Sequence, residues 1–264
     1  IKTSAYSTPG TNGFFLKMED RTNLDLDSSS NAFTWTTSGD LTATYDNPSN
    51  NFATLNPLTV DTGGAKTYSN GNTTVAETAN SWTSAHSSLA VAAGKWYFES
   101  KFTLTSSTEG YFGCASVPEI NAKSASTFYL GQGASIGYYT TDGNVDKDGV
   151  STSYGSAVTT GQIVGVALDI TNELAYFAIN GTWQNSADPV AGSGGVAFPS
   201  GMTDGEFICL SVSPNQSYWE CNFGGSSGFA ITSAVADGNG YGNFEYAPPS
   251  GYFALCTKNL AEYG

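Results

Sequence analysis

The feature that most constrains the fold is a stretch with two short apolar runs and two chain reversals, GQIVGVALDITNELAYFAINGTWQNSADP, at residues 161–189. The apolar runs, at residues 162–168 and 174–179, have the length of strands and are joined by a polar turn. Asn180-Gly181 then reverses the chain, and this dipeptide between alternating segments is the strongest short-range signal for a β-hairpin. We therefore predict that the two runs pair antiparallel in the middle of a buried sheet.

The composition favours an all-β protein. Of the 264 residues, 12% are charged, 13% are aromatic and 31 are glycine. No window shows the apolar spacing of a helix, whereas short β-rich runs recur between Gly, Asn, Ser and Asp turns. About a dozen strands without intervening helices predict two packed antiparallel sheets, which is a β-sandwich. No linker divides the chain, so we predict a single domain over residues 1–264.

The clearest alternation lies at residues 95–105, KWYFESKFTLT. It predicts a strand with Trp96 and Phe98 on one face and Tyr97 and Glu99 on the other. We expect Trp96 and Phe98 to pack in the same core as the central hairpin.

The net charge of −14 excludes two classes of partner. A negative field repels phosphate backbones and anionic lipids, so we expect neither nucleic acid nor a membrane surface as a partner. The sequence has no 18-residue apolar run and no signal-peptide pattern. It begins with Ile1, and we expect it to be part of a longer polypeptide.

The four cysteines, Cys114, Cys209, Cys221 and Cys256, lack the spacing of a zinc site, and His86 is the only histidine. No zinc site is therefore expected. Cys209 and Cys221 fall in successive predicted strands, so a disulfide between them is an alternative to buried thiols, which we favour.

Four separated motifs resemble the SPRY, or B30.2-like, module: GKWYFE at 94–99, YG at 154–155, GQIVGVALDITNELAYFAINGTW at 161–183 and NFG at 222–224. They occur in the order typical of that family, with Gln162 where an acidic residue is common. The resemblance covers about residues 85–225, with flanking strands expected over 13–82 and 226–256. It implies a concanavalin-like β-sandwich with a binding surface built from loops, and it does not supply a ligand.

The flanking segments at 13–39, 46–58 and 247–260 resemble SPRY-bearing, tail-fibre-like proteins of tailed bacteriophages, especially marine phages. This second resemblance implies a virion protein of a tail or surface appendage, assembled in the host cytoplasm. Its implied partners are other virion proteins and further copies of the chain, with a trimer favoured. No heptad run in the sequence sets that number.

The sequence lacks the usual residue patterns of a hydrolase. Glu99 and Glu220 each stand alone on their predicted strands, whereas related glycoside hydrolases carry paired carboxylates. One histidine, with neither a GxSxG nor a Cys-His arrangement, leaves a nucleophile without a base. We therefore expect no enzymatic activity, and a carbohydrate-active enzyme is the least favoured function.

Residues 142–149, DGNVDKDG, are the best candidate for a metal site. Asn144, Asp146 and Asp148 alternate before Gly149, as in the first half of a calcium loop. The twelfth position from Asn144 is Gly155 instead of a bidentate Glu. We therefore favour a solvated loop without a cofactor, with Ca²⁺ as the alternative.

Recognition of a ligand is assigned to the loops at 121–133 and 141–153, which emerge at opposite ends of a predicted strand at 134–140. The second loop is richer in carboxylates and is favoured. The candidate ligand-binding residues are Asp142, Asp146 and Asp148 in this loop, together with Tyr139 and Trp183, which are aromatic residues near predicted loops. The predicted function is a non-enzymatic module that binds a host-surface glycan or protein, and the alternative is a purely structural virion module.

Overall fold

The computed structural model describes residues 9–17, 23–38, 45–58, 66–77, 82, 84–103, 109–122, 129–202, 207–212 and 218–264. The chain divides into two compact units, residues 1–44 and 45–264. The prediction of a single domain over residues 1–264 stays a prediction.

The described part of the first unit is organised around the carboxylate of Asp27, which is buried. Its oxygens accept hydrogen bonds from the backbone N–H groups of Phe15 and Ser29 at 2.8 Å and of Phe33 at 3.3 Å. Flanking strands were expected over 13–82, and the described residues of the first unit contain a single isolated bridge, between Leu26 and Thr34. In this unit the backbone N–H groups of Phe15 and Phe33 bind Asp27 and not a neighbouring strand.

The second unit contains fifteen strands and two α-helices among its described residues. The strands are β1 (Lys66–Ser69), β2 (Thr74–Glu77), β3 (Ser84–His86), β4 (Lys95–Thr103), β5 (Tyr111–Ser116), β6 (Ser135–Tyr139), β7 (Asn144–Lys147), β8 (Val150–Ser153), β9 (Ile163–Asp169), β10 (Leu174–Ile179), β11 (Thr182–Trp183), β12 (Val196–Ala197), β13 (Phe207–Val212), β14 (Tyr218–Asn222) and β15 (Phe253–Ala254). The α-helices are α1 (Val117–Ala122) and α2 (Thr257–Tyr263), and short 3-10 helices span Gln184–Ser186 and Ser200–Met202. No helix in the described ranges has the length and apolar character needed to cross a membrane.

The strands form two sheets, which confirms the predicted all-β sandwich. The first sheet has the order β1-β2-β14-β4-β9-β10-β11, with β12 paired to β10 and β15 paired parallel to β4. The second sheet has the order β3-β13-β5-β6-β7-β8. Apart from β15, all of these pairs are antiparallel.

The central hairpin has the predicted pairing. β9 and β10 are antiparallel, with Val166 opposite Phe177, and Asn180 and Gly181 have positive φ angles of 47° and 74°. Trp96 and Phe98 belong to the same buried cluster as Val166 and Phe177, as expected from the alternation along β4. Residues from both sheets form this cluster, so it is the core of the sandwich.

The outer face of the first sheet is covered by chain without regular structure. Tyr97 and Tyr176 pack there in a second buried cluster with Phe52, Phe244 and Tyr252. Flanking strands were predicted over 226–256, where the structure has β15 and two isolated bridges, of Val235 with Phe244 and of Cys256 with Phe52.

Two buried carboxylates explain this difference. Glu99 accepts the N–H groups of Glu245 and Tyr246, and Asp237 accepts those of Asn239, Tyr241 and Ala254, as well as the side-chain amide of Asn259. Side chains therefore satisfy these polar groups without a sheet partner.

The predicted loop at 141–153 is instead a β-hairpin. β7 and β8 pair antiparallel, with Lys147 opposite Val150, and Asp148 and Gly149 form the turn with φ angles of 54° and 72°. Two successive residues with positive φ are the signature of a type I′ turn, for which Asp-Gly is a preferred sequence.

The strands that carry Cys209 and Cys221 lie in different sheets, since β13 is in the second sheet and β14 in the first. Cys221 is a buried free thiol, and the Ser100 hydroxyl donates a hydrogen bond to its Sγ at 3.5 Å. The preferred prediction of a buried thiol is therefore confirmed for Cys221.

Candidate functional site

The outer face of the second sheet carries four neighbouring aromatic side chains. Because Tyr111 in β5 is paired with Tyr139 in β6, the two rings lie side by side on this face. The adjacent residues Phe112 and Tyr138 point to the other side and are buried in the core. We call the set Trp82, Tyr111, Tyr129 and Tyr139 the aromatic face.

The rings of the aromatic face contact one another closely. Tyr111 is stacked on Tyr139, with ring centroids 4.7 Å apart, and on Tyr129 at 5.8 Å. Trp82 lies 5.6 Å from Tyr111 and 5.4 Å from Tyr129. Tyr111 is buried, whereas the other three are half-buried and present part of their surface. The four rings form one continuous aromatic surface.

Carboxylates and an amide fix the hydroxyl groups of these rings. Tyr111 Oη donates a hydrogen bond to Asp146 Oδ2 at 2.5 Å, and Tyr139 Oη donates to Glu109 Oε1 at 3.1 Å. Gln132 Nε2 donates to Tyr129 Oη. Burial raises the pKa of Tyr111 and of Tyr139, and the neighbouring carboxylates raise both further. Both phenols therefore remain neutral donors at physiological pH.

Carboxylate and amide groups border this face. Asp146 Oδ1 is buried and makes no hydrogen bond to any described residue. Asp142 binds the backbone N–H of Asn144 through Oδ1 and its side-chain Nδ2 through Oδ2, each at 2.9 Å. These two hydrogen bonds orient the side-chain amide of Asn144, which lies on the strand next to Tyr139. Carboxylate and amide oxygens beside aromatic rings can accept hydrogen bonds from the hydroxyls of a ligand.

The structure brings together only part of the predicted site. Tyr139 and Asp146 lie on the aromatic face, and Asp142 and Asn144 lie at its edge. Asp148 is exposed in the turn between β7 and β8.

Trp183 lies elsewhere, on the outer side of the first sheet, where its ring centroid is 6.4 Å from that of Tyr97. Of the predicted loop at 121–133, residues 123–128 lie outside the described residues.

The sequence analysis missed Trp82, Tyr111, Glu109 and Gln132. For Tyr111 a signal existed, because period-2 alternation places it on the face opposite Phe112. The contact between Tyr111 and Tyr139 depends on the pairing of β5 with β6, which no local pattern specifies.

A separate cleft of about 350 Å³ lies beside the β7–β8 hairpin. We call it the edge cleft, and its lining includes Val145, Lys147, Asp148, Val150, Thr152, Ser153, Tyr154, Asn185, Gly195 and Val196. The hydroxyl of Tyr154 donates to the carbonyl of Gly194 at 2.9 Å, which holds one wall in place.

In the part of the chain that the structure describes, no group of three or more His, Cys, Asp or Glu side chains is placed to hold a metal ion. The weak calcium candidates Asn144 and Asp146 alternate along β7, and Asp148 is in the turn that follows. Asp146 Oδ2 is already occupied by the Tyr111 hydroxyl.

No protein-family model matches the chain, and no curated protein matches it. Among solved structures, the chain is similar to the crystal structure of the SPRY domain of human HERC1, with 13% sequence identity and a TM-score of 0.44. The match covers 62% of this chain and 94% of that chain. The β-sandwich of the present chain is established by its own two sheets.

Proposed function

We propose that the chain is a non-catalytic recognition module that binds a host-surface glycan through the aromatic face, as part of a phage virion appendage. The observation that carries this proposal is that four neighbouring aromatic rings lie beside carboxylate and amide groups on one face of the second sheet. Aromatic surfaces bordered by a few polar groups are typical of small-ligand sites.

The chemistry of the face favours neutral or cationic sugars. The apolar side of a sugar ring can stack on the half-buried rings, while its hydroxyls donate to the exposed Asp142 or to the side-chain oxygen of Asn144. The net charge of −14 disfavours sulfated or strongly acidic glycans by electrostatic repulsion.

The absence of catalysis is supported by the roles of the carboxylates in the described residues. Glu99 is buried and binds backbone amides, and Glu220 lies opposite Lys101 on a neighbouring strand. Glu109 and Asp146 each bind a tyrosine hydroxyl.

The virion context is supported by the resemblance of the flanking segments to phage tail-fibre-like proteins. In that context the chain is a homo-oligomer, with a trimer favoured, and its neighbours are other virion proteins. Light scattering on the complete parent protein should give the mass of three chains at micromolar concentration. A monomer under those conditions would exclude the trimer.

Recognition is tested by replacing one ring of the aromatic face. An array of bacterial surface oligosaccharides first identifies the glycans that the unmodified protein binds. We expect Tyr139→Ala to lower the affinity for these glycans about tenfold, which equals about 1.4 kcal/mol. Trp183→Ala is the matched control, because it removes a half-buried ring from the other sheet. Equal losses in both variants, at unchanged thermal stability, would contradict the proposal.

The purely structural alternative gives a different result. In that case the unmodified protein binds neither the glycan array nor host cells, and Tyr139→Ala lowers the molecular mass found by light scattering.

A further inference from the structure

Strand β8 is an edge of the second sheet in the described part of the chain. It pairs with β7 on one side, and it is the last strand in the sheet order. All four residues, Val150 to Ser153, are exposed, and Val150 keeps 61% of its surface. An edge strand presents a row of main-chain donors and acceptors to its surroundings.

The geometry of the hairpin identifies which groups face outward. In a hairpin with a two-residue turn, the residues that flank the turn form a hydrogen-bonded pair, here Lys147 and Val150. Bonding then alternates along the strand, so Val150 and Thr152 bond to β7 while Ser151 and Ser153 direct their N–H and C=O groups away from it. No described residue forms a hydrogen bond with these outward groups.

Strand β8 has no charged residue, no proline and no bulge, three features that block pairing at many natural edge strands. Its sequence is VSTS, and its pairing with β7 is regular. A small, uncharged strand of this kind can accept a further strand at its open side.

The edge cleft adjoins β8. Val150 and Thr152 line one side of the cleft, and Asn185, Gly195 and Val196 line another. Its volume of about 350 Å³ is empty of protein atoms, although it adjoins the sandwich core at Val145. A strand paired with β8 would place every second side chain in this space.

The charges around β8 favour a basic partner. Asp148 is exposed just before the strand, and Asp142 is exposed next to Gly143, whose carbonyl accepts the N–H of Gly155 two residues beyond the strand. Lys147 also lines the edge cleft, where its Nζ donates to the carbonyl of Ala197 at 3.1 Å, so the two carboxylates outnumber one lysine around β8. A second copy that paired through its own β8 would place its Asp142 and Asp148 near these same carboxylates, which disfavours self-pairing at this edge and leaves the proposed trimer to other surfaces.

We propose that β8 is a docking site for an extended segment of a different protein, which adds to the second sheet by main-chain hydrogen bonds to Ser151 and Ser153. The segment carries aliphatic side chains at alternate positions, which fill the edge cleft, and basic residues at its ends. This site is separate from the aromatic face and does not depend on glycan binding.

The probe for this proposal is the synthetic peptide acetyl-Lys-Val-Thr-Val-Lys-amide, with amide hydrogen exchange as the readout. At saturation the peptide should slow exchange at Ser151 and Ser153 about tenfold or more, and leave Val150 and Thr152, which already bond to β7, nearly unchanged. The same peptide with Glu in place of Lys should bind about tenfold more weakly.

Two variants separate main-chain pairing from other binding. Ser153→Pro removes an outward N–H that β7 does not use, so it should abolish protection at Ser151 while the hairpin stays intact. Ser153→Ala keeps that N–H and should behave like the unmodified protein. A peptide N-methylated at the amides that face β8 tests the same bonds without changing the protein.

Three results would overturn the proposal. The first is no protection of Ser151 and Ser153 at millimolar concentrations of the basic peptide. The second is equal binding of the N-methylated peptide. The third is protection that appears without peptide and grows with protein concentration, which would identify a second copy as the occupant. Because Tyr139→Ala should leave peptide binding unchanged, a failure of the glycan proposal is distinguishable from a failure here.

Discussion

Glu99 accepts hydrogen bonds from groups that belong to separate parts of the chain. Its Oε1 binds the Tyr97 hydroxyl at 3.0 Å and the Tyr246 N–H at 2.7 Å, and its Oε2 binds the Glu245 N–H at 2.9 Å and Asn222 Nδ2 at 3.2 Å. Burial raises the pKa of Glu99, whereas these hydrogen bonds act in the opposite direction. The side chain therefore attaches the irregular segment around residue 245 to the first sheet.

Replacement of Glu99 by Gln should destabilise the second unit. The NH2 group of Gln cannot accept a hydrogen bond, so the backbone or side-chain donors that faced the replaced oxygen would be buried without a partner, at about 1–3 kcal/mol each. Urea denaturation at neutral pH measures the loss. Glu220→Gln is the control, since Glu220 is half-buried opposite Lys101, and its replacement should cost less than about 1 kcal/mol. Equal effects of the two replacements would refute this role of Glu99.

Asp27 should make the first unit sensitive to acid. Desolvation raises its pKa, but hydrogen bonds led by that from Phe15 outweigh it and lower the pKa from 3.8 to about 2. The pKa of Asp27 is lower in the folded state than in the unfolded state. The contribution of its carboxylate to the stability of the first unit is therefore present above about pH 4 and is lost as the pH falls through about 2.

An NMR titration of the amides of Phe15, Ser29 and Phe33 checks this prediction. Their signals should shift together as Asp27 becomes protonated. Asp27→Asn should remove the transition and Asp25→Asn should keep it. A transition that survives in Asp27→Asn would assign the acid sensitivity to another group.

At the scale of elements, strands with strong alternation could be predicted from the sequence, and segments held by side chains could not. β4, β9 and β10 follow the apolar pattern because both of their faces are buried in the sandwich or beneath the covering segment. The segments near residues 15, 33 and 245 have β-like composition, but their amides bind Asp27 or Glu99 instead of a strand. No local pattern shows that a distant carboxylate will take those amides.

The candidate site was predictable only in part, for a similar reason. Tyr139, Asp142 and Asp146 were found because they are close in sequence. Tyr111 joins them through strand pairing, whereas Trp183 is separated from them because its strand belongs to the other sheet. The β7–β8 hairpin, by contrast, had a usable local signal in Asp148-Gly149, which the calcium-loop interpretation obscured.

The turn between β7 and β8 should depend on Gly149. Its φ angle is +72°, and a Cβ added there would have no atom within 4 Å, so Gly149→Ala introduces backbone strain alone. We expect a cost of about 1–2 kcal/mol and faster amide exchange in the hairpin. Gly238→Ala is the control, because that glycine lacks a positive φ and its added Cβ meets only Phe253, at 4.0 Å. If Gly149→Ala is as stable as the unmodified protein, the type I′ turn is contradicted.

At the scale of the second unit, aromatic contacts between the sheets hold the sandwich together. Phe177 of the first sheet lies 5.7 Å from Phe112 and 5.5 Å from Tyr138 of the second, measured between ring centroids. Phe112 also lies 6.0 Å from Trp219 of the first sheet, which in turn is stacked on Phe102 at 3.9 Å. These rings form a continuous layer, so the positions of the aromatic face and of the edge cleft both depend on it.

Phe177→Ala should therefore destabilise the second unit as a whole. The side chain is fully buried, and its removal leaves a cavity between the sheets, at a cost of about 3–5 kcal/mol. Val150→Ala, at an exposed position on β8, is the control and should change the free energy of unfolding by less than about 0.5 kcal/mol. Denaturant melts of the two variants measure the difference. A loss below about 1 kcal/mol for Phe177→Ala would mean that this ring does not join the two sheets, since complete burial of a large aromatic side chain requires a greater cost on truncation.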